Sequence, residues 1–383
     1  VAQASPIEWT DETWNVVRGC NRVSPGCMHC YAEVSAARFS KEGMPYHRLV
    51  QATSQGPKWT GEVALVPELL GYPLSKRKPH RIFVNSMSDL FHEAVPFEFI
   101  AATFGAMALA EHHTFQILTK RAERMRAFFD WIQHEGAARN GPAQLCISQL
   151  LRDAESLPKS AEKRMRHAEV EGIQWPLQNV WLGVSAENQD AANERIPTLL
   201  RTPAAIRWVS IEPLLGPIDL EQVKWWRDRD HHVDVLRGGY WTNGPLTSNM
   251  SWRPGDRQGH FVNHSDFPAC LDWVVVGGES GKNARPMHPL WVHTLQAQCK
   301  AADVPFFFKQ HGVWREASAI ASDVTLPAED WAFVQADGKA FYGHEAFRAK
   351  DPDGVLMARI GRERAGYELG GVVYRETPMA MAA

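Results

Sequence analysis

The sequence predicts an α/β protein: a partial (β/α)6–7 barrel of the TIM type, with two insertions and a C-terminal β-hairpin. Two observations predict it. Short apolar runs rich in β-branched and aromatic residues recur along the chain, and most precede a helical pattern. That alternation builds a parallel sheet buried on both faces. The far end of each run also carries polar or charged residues, as the carboxyl ends of strands do in barrel enzymes.

Taken in order, NVVRG (15–19) leads into a cluster of cysteines. RIFVNS (81–86) precedes the helical pattern of 98–113, and FQILTK (115–120) precedes that of 123–134. VWLGVS (180–185) precedes 189–201, and then come IRWVSI (206–211), WVVVGG (273–278) and VPFFFK (304–309). Trp291, Leu295 and Cys299, spaced four apart, mark a helix between the last two runs. Six or seven such units fit a barrel better than a small open sheet, although periodicity leaves a doubly wound sheet open.

Two stretches interrupt the rhythm. Residues 136–178 read as a helical, heavily charged insertion, and 224–269 as a long irregular one rich in Trp, Arg, His, Asp and Gly. The tail, 355–376, alternates and carries glycines, which predicts a β-hairpin. The expected organisation is a barrel over 1–314 and an extension over 315–383.

The bulk numbers are those of an ordinary globular chain: 383 residues, 44% hydrophobic, 22% charged, net charge −3. No global basic field draws it to nucleic acid, so such contacts would be local. No apolar run is long enough to span a membrane, and the first residues lack a secretory pattern. A cytoplasmic location without membrane contact is expected.

Three of the six cysteines crowd into eleven residues, Cys20, Cys27 and Cys30. In a chain of this length the pattern points to metal rather than to bridges. Thiolates suit zinc or an iron–sulfur cluster. Structural zinc needs a fourth ligand, for which His29, His47 or a distant residue would have to serve. A four-iron cluster on three thiolates instead keeps one iron open. Ordinary unligated thiols are the remaining reading. Cys146 and Cys299 lie on apolar stripes and read as core, and Cys270 precedes a strand.

Candidate site residues follow from the strand ends. The second run ends in Asn85, Ser86, Ser88, Asp89 and His92, and the third in Thr119, Lys120 and Arg121. The fourth ends in Ser185, Glu187 and Asn188, the fifth in Glu212, the sixth in Gly277, Gly278 and Glu279, and the last in Lys309, Gln310 and His311. Loops are polar in any protein, so many of these could simply be solvated.

The strings TWNVVRGCNRVSPGCMHCYAE, NSMSDLFHEAVP, FQILTKRAERM, VWLGVSAEN, RWVSIEPLLGPIDL, WVVVGGESGKNARPMHP and VPFFFKQHG, with the tail IGRERAGYELGGVVYRE, resemble a phage-associated three-cysteine-motif family. That family is similar in turn to the radical S-adenosylmethionine (SAM) superfamily, and distantly to spore photoproduct lyase. This chain has six residues in the first cysteine gap where most of the superfamily has three, and His29 at the usual aromatic position.

The resemblance implies a [4Fe–4S] cluster on Cys20, Cys27 and Cys30, with SAM on its open iron and a reductant such as flavodoxin or ferredoxin. By position and charge, Ser88 and Asp89 would then serve the SAM ammonium, Lys120 or Arg121 its carboxylate, and Glu187 or Asn188 its ribose, with Ser86 and Ser185 also expected to bind the cofactor. Glu212, Glu279 (with Arg285 nearby) and Lys309 would then face the substrate as catalytic groups. By analogy with the lyase, that substrate is a nucleotide or nucleic acid, to be modified or repaired. KRKPHR (76–81), KRAERMR (120–126) and Trp225, Trp226, Trp241 and Trp252 of the second insertion offer it basic and stacking surface. The rival from another class is a zinc-stabilised nucleic-acid-binding protein without catalysis. A metal-dependent hydrolase is disfavoured, because no catalytic His pair stands at a strand end.

Overall fold

A computed structural model describes residues 3–5, 7–225, 232–242, 260–263, 269–320 and 325–378. The chain divides into two compact units, Val1–Val184 with Arg201–Arg207, and Ser185–Leu200 with Trp208–Ala383. Seven parallel strands lie among their elements, as a mixed α/β architecture requires.

The first unit holds β1 (Glu12–Trp14), β2 (Arg81–Val84), β3 (Thr114–Thr119) and β4 (Val180–Ser185), paired side by side and parallel. The first strand lies upstream of the expected NVVRG run. Only Val17–Arg18 of that run is extended, and it pairs antiparallel with Ala64–Leu65. The reason is the buried Trp14, whose indole N–H donates to the Leu69 carbonyl at 2.8 Å and fixes Glu12–Trp14 against β2.

Four helices of this unit matter here: α1 (Tyr31–Ala37), α2 (Phe97–Leu109), α3 (Ala122–Gly136) and α4 (Pro142–Asp153). Every residue of α2 from Phe99 to Leu109 is buried, so this helix has no solvent face. The first insertion supplies the missing cover. It is helical, as expected, and its α4 crosses α2 where Gly105 lets the Cys146 main chain approach. Next in order is α5 (Lys159–Glu171), anchored by Ser160 Oγ on the Leu74 carbonyl at 2.8 Å and by Arg164 on the Leu109 carbonyl at 3.1 Å.

The second unit contains α6 (Gln189–Leu200), β5 (Ile206–Ile211), β6 (Trp273–Gly277), α7 (Pro289–Ala301) and β7 (Phe306–Gln310). Within it, β6 pairs parallel with both β5 and β7. Most of the second insertion, including Trp226 and Trp252 and the side chain of Trp241, lies outside the described residues, while Trp225 is buried.

The C-terminal region corrects the expected hairpin. Strands β8 (Trp314–Glu316), β9 (Trp331–Val334), β10 (Ala340–Tyr342) and β11 (Val355–Arg359) form one antiparallel sheet in the order β8-β11-β9-β10. Both edges of β11 are taken by β8 and β9, so Arg375 instead bridges antiparallel to Phe307 of β7, and the residues after β11 do not pair with it. They form a helical turn (Arg362–Ala365) and a tight turn at Gly370–Gly371 closed by Leu369 and Val372.

Two predictions follow from this packing. A Cβ on Gly105 would collide with the Cys146 carbonyl, so Gly105→Ala is expected to lower unfolding free energy by about 1–3 kcal/mol in urea melts. Acid sensitivity comes from two buried histidines. Burial, with His112 alongside, depresses the His113 pKa to about 4, and burial depresses that of His311 to about 4. An unfolded histidine takes up its proton near pH 6.5, the folded ones only near 4. Stability is therefore lost as pH falls from 6.5 to 4 and levels off below, by about 3 kcal/mol for each ring. Urea melts at pH 7 and 4.5 should show the drop, and His113→Gln should make it shallower.

Candidate metal centre

The connection leaving β1 is fixed before it reaches the cysteines. Asn15 Oδ1 accepts from the Met87 amide at 2.9 Å, and Asn85 Oδ1 accepts from the Val17 amide at 3.2 Å. Asn85 adopts φ +59°, tolerable for asparagine, at the turn that ends β2. Gly19 adopts φ +87°, pairs with Ser88, and passes so close to the Glu62 carbonyl that any side chain would collide. Cys20 thus enters at the carboxyl ends of β1 and β2.

Between Cys20 and Cys30 the chain makes a tight turn. Ser24 precedes a single 3-10 turn (Pro25–Cys27), with Cys27 N–H donating to the Ser24 carbonyl at 2.9 Å and Ser24 Oγ lying 3.9 Å from Cys27 Sγ. Cys30 is the N-cap of α1. Cys20 and Cys30 pack against an apolar cluster of Ala32, Ala36, Leu49 and Trp59.

Burial pushes the Cys20 thiol up to about 12, with the Asp89 carboxylate adding to the rise and Arg121 opposing it. Cys30 is raised by burial too, against the amides of Ala32 and Glu33, which favour its thiolate. As free groups these two are neutral thiols at physiological pH, unsuited to nucleophilic work.

The loop is held by two arginines. Arg22 forms a two-pronged pair with the buried Glu33 of α1, Nε to Oε1 at 3.0 Å and Nη2 to Oε2 at 2.5 Å, and Glu33 also accepts from the Trp59 amide at 3.1 Å. Arg121, at the end of β3, is buried. It donates to Asp89 Oδ2 at 2.9 Å, to both Glu93 oxygens at 3.0–3.1 Å and to Asn21 beside Cys20. Asp89 in turn accepts from the Thr119 hydroxyl at 2.8 Å and from the main-chain amides of Phe91 and Lys120. His92, next to Glu93, is held neutral by burial and by Arg121.

The expected residues therefore divide. Ser86, Ser88, Asp89, Lys120 and Arg121 gather around the thiol loop, but largely by bonding to one another and to the main chain. Ser88 Oγ donates to the Val17 carbonyl at 2.7 Å, and Ser86 Oγ lies 3.3 Å from Asn15 Oδ1. In the second unit, Glu187 is buried in an ion pair with Arg195 at 3.0 Å, whose guanidinium also reaches the Ser185 carbonyl at 2.7 Å. Asn188 caps α6 by accepting from the Ala191 amide at 3.0 Å. Glu212 and Lys309, from the ends of β5 and β7, meet at 3.3 Å, and Gly277 of β6 leaves the room they use. Glu279 is gripped by Arg285 through its amide at 2.7 Å and its guanidinium at 2.6 Å.

Sequence reasoning placed Asn85 at the end of the second run but missed Asn15, Asn21, Glu33 and Glu93. Only Glu33 left a local signal: it is the acid in the first turn of the helix-forming run YAEVSAA, where a negative charge favours the helix N-terminus.

Fold and site together define a mixed α/β protein with a three-thiol loop at the carboxyl ends of parallel strands. The family described as "Protein of unknown function (DUF5131)" matches residues 4–378, and the chain belongs to it. No curated protein and no solved structure matches the chain. No helix among the described residues is long and apolar enough to cross a membrane.

The fork around Arg121 makes a specific prediction. Asp89→Asn leaves a buried guanidinium without its nearest counter-charge and is expected to cost about 3–5 kcal/mol of stability. Glu93, whose side chain is 61% exposed, gives a contrast: Glu93→Ala should cost under about 1 kcal/mol. Chemical denaturation of the two variants checks the difference.

Proposed function

We propose that the chain is a radical SAM enzyme whose Cys20, Cys27 and Cys30 hold a [4Fe–4S] cluster. One observation carries the reading: three thiols share a single loop at the carboxyl ends of adjacent parallel strands. Among the described residues no group of three His, Cys, Asp or Glu is arranged to hold a metal ion, so the reading rests on the placement of the thiol loop and the softness of its donors. Three soft donors spread along one turn fit a cluster that takes one thiolate on each of three irons. When bound and reduced, that cluster with SAM supplies a 5′-deoxyadenosyl radical able to take hydrogen from a substrate.

The protein's own groups bind and position. Asp89 and Arg121 are positioning residues, since their charges are spent on each other and on Asn21, which sets Cys20 in place. Ser86 and Ser88, at the turn after β2, would help hold SAM through its ammonium, and Lys120, with its amide fixed by Asp89, would supply the cation for its carboxylate. Ser185, Glu187 and Asn188 keep the assignment to ribose, and Glu212, Glu279 and Lys309 that to substrate. A nucleotide or nucleic acid is the substrate class and a flavodoxin or ferredoxin the electron source in this reading.

The test is anaerobic reconstitution with iron and sulfide, followed by metal analysis and a SAM-cleavage assay with dithionite. The expected result is about four irons per chain, the load of one cubane cluster, with 5′-deoxyadenosine formed by the wild type and lost in Cys27→Ala. One tightly held zinc, no iron uptake and no cleavage would overturn the proposal in favour of a zinc-stabilised binding protein.

A further inference from the structure

The 66 residues between β1 and β2 carry more than the thiol loop. From Arg18 to Arg81 there are ten lysines and arginines and only four acidic residues, a local charge of +6 in a chain whose total is −3. The remainder of the chain is therefore acidic in net charge, and this excursion is its basic counterpart. Three of its cations are paired: Arg22 with Glu33, Lys76 with Glu12 and Arg81 with Asp11. Arg38, Lys41 and Arg48 are exposed.

Large apolar side chains stand among these charges. Met28, Tyr31, Val34 and Phe39 are each more than half exposed. On α1, Tyr31, Val34 and Arg38 fall at i, i+3 and i+7 and share the outer face, while Ala32, Glu33 and Ala36 are buried. Phe39 lies just past the end of that helix, and the chain returns to it through Tyr46 N–H on the Phe39 carbonyl at 3.0 Å, carrying Lys41 on the turn. Tyr31 is exposed without being loose. Its hydroxyl donates to the Ser86 carbonyl at 2.5 Å, which pins the ring beside Cys30. An anchored aromatic loses little entropy when something stacks on it.

We propose that this face, centred on Tyr31, Phe39, Arg38 and Lys41, binds single-stranded nucleic acid and delivers it to the thiol loop. Phosphates pair with the cations, and bases stack on the rings, which every base can do whatever its sequence. An acidic electron-transfer protein would satisfy the charges but gains nothing particular from two aromatic rings set among them, so the strand is the occupant favoured here. As an account of substrate delivery, the inference rests on the radical SAM reading. As an account of a surface it can be measured apart from it.

The experiment uses the full chain, as purified and after iron loading, with a fluorescein-labelled single-stranded DNA of about twenty nucleotides, enough to span such a surface, and its RNA counterpart. Anisotropy at several salt concentrations gives affinity and salt slope. The expected slope of log K against log salt is about −2 to −3, from three or four phosphate contacts. Arg38→Glu with Lys41→Glu should weaken binding more than tenfold and flatten the slope. Phe39→Ala and Tyr31→Ala should each weaken it about tenfold with the slope unchanged, and Tyr31→Phe, which keeps the ring, should lose less. Unchanged circular dichroism and melting exclude misfolding as the cause.

Absent binding by the wild type, or affinity indifferent to the charge reversal, overturns the proposal. So does a charge reversal that weakens only the docking of reduced flavodoxin, measured by cluster reduction rate. Strand binding by a chain that takes up no iron would support the surface and sink the radical reading. Iron uptake and SAM cleavage without strand binding would do the reverse.

Discussion

The first unit depends on one buried cation. Removing a guanidinium from water costs several kcal/mol unless its donors are met, and Arg121 meets them with three separate pieces of chain. Asp89 comes from the turn after β2, Glu93 from the segment before α2, and Asn21 from the thiol loop. Because the penalty for leaving any donor unmet is large, these pieces cannot drift independently. Burial works against the charge, but the Asp89 and Glu93 carboxylates outweigh it and keep the guanidinium charged across the whole physiological range, which makes the tie permanent. The position of Cys20 follows from that tie, as much as from its own neighbours.

The same economy recurs elsewhere. Glu187 with Arg195, Glu279 with Arg285 and Glu212 with Lys309 each set an acid against a base near the end of a parallel strand. Paired in this way, buried charges stiffen the loops that carry them while adding little net field. Polar atoms at strand ends therefore serve two ends at once: they close the top of the core and fix the backbone around any ligand. The positive excursion between β1 and β2 stands out against this background, because its cations outnumber the acids available to pair with them.

Much of the fold was legible in the sequence for a physical reason. Strands buried on both faces must be nearly continuous apolar runs, and RIFV, VWLGVS and WVVVG are so written that their bounds differ from expectation by a residue or two at most. The thiol loop was legible because its three cysteines lie close together in the sequence. The Arg121–Asn21 contact was not, since its partners are 100 residues apart and neither is unusual by itself. Charges at strand ends could be seen, but not that they would be consumed by one another. The tail misled because alternation shows that a segment is extended, not which strand it will meet. Val355–Arg359 met two that precede it.

The all-buried α2 has a consequence for the order in which the protein is made. Phe97–Leu109 leaves the ribosome before Pro142–Asp153, the helix that covers it, exists. At ordinary translation rates that interval is on the order of a few seconds. Throughout it the nascent chain displays an apolar rod with no polar side to turn outward. The nascent chain thus has a window of chaperone dependence written into it, and any fragment ending before residue 142 keeps that window open permanently.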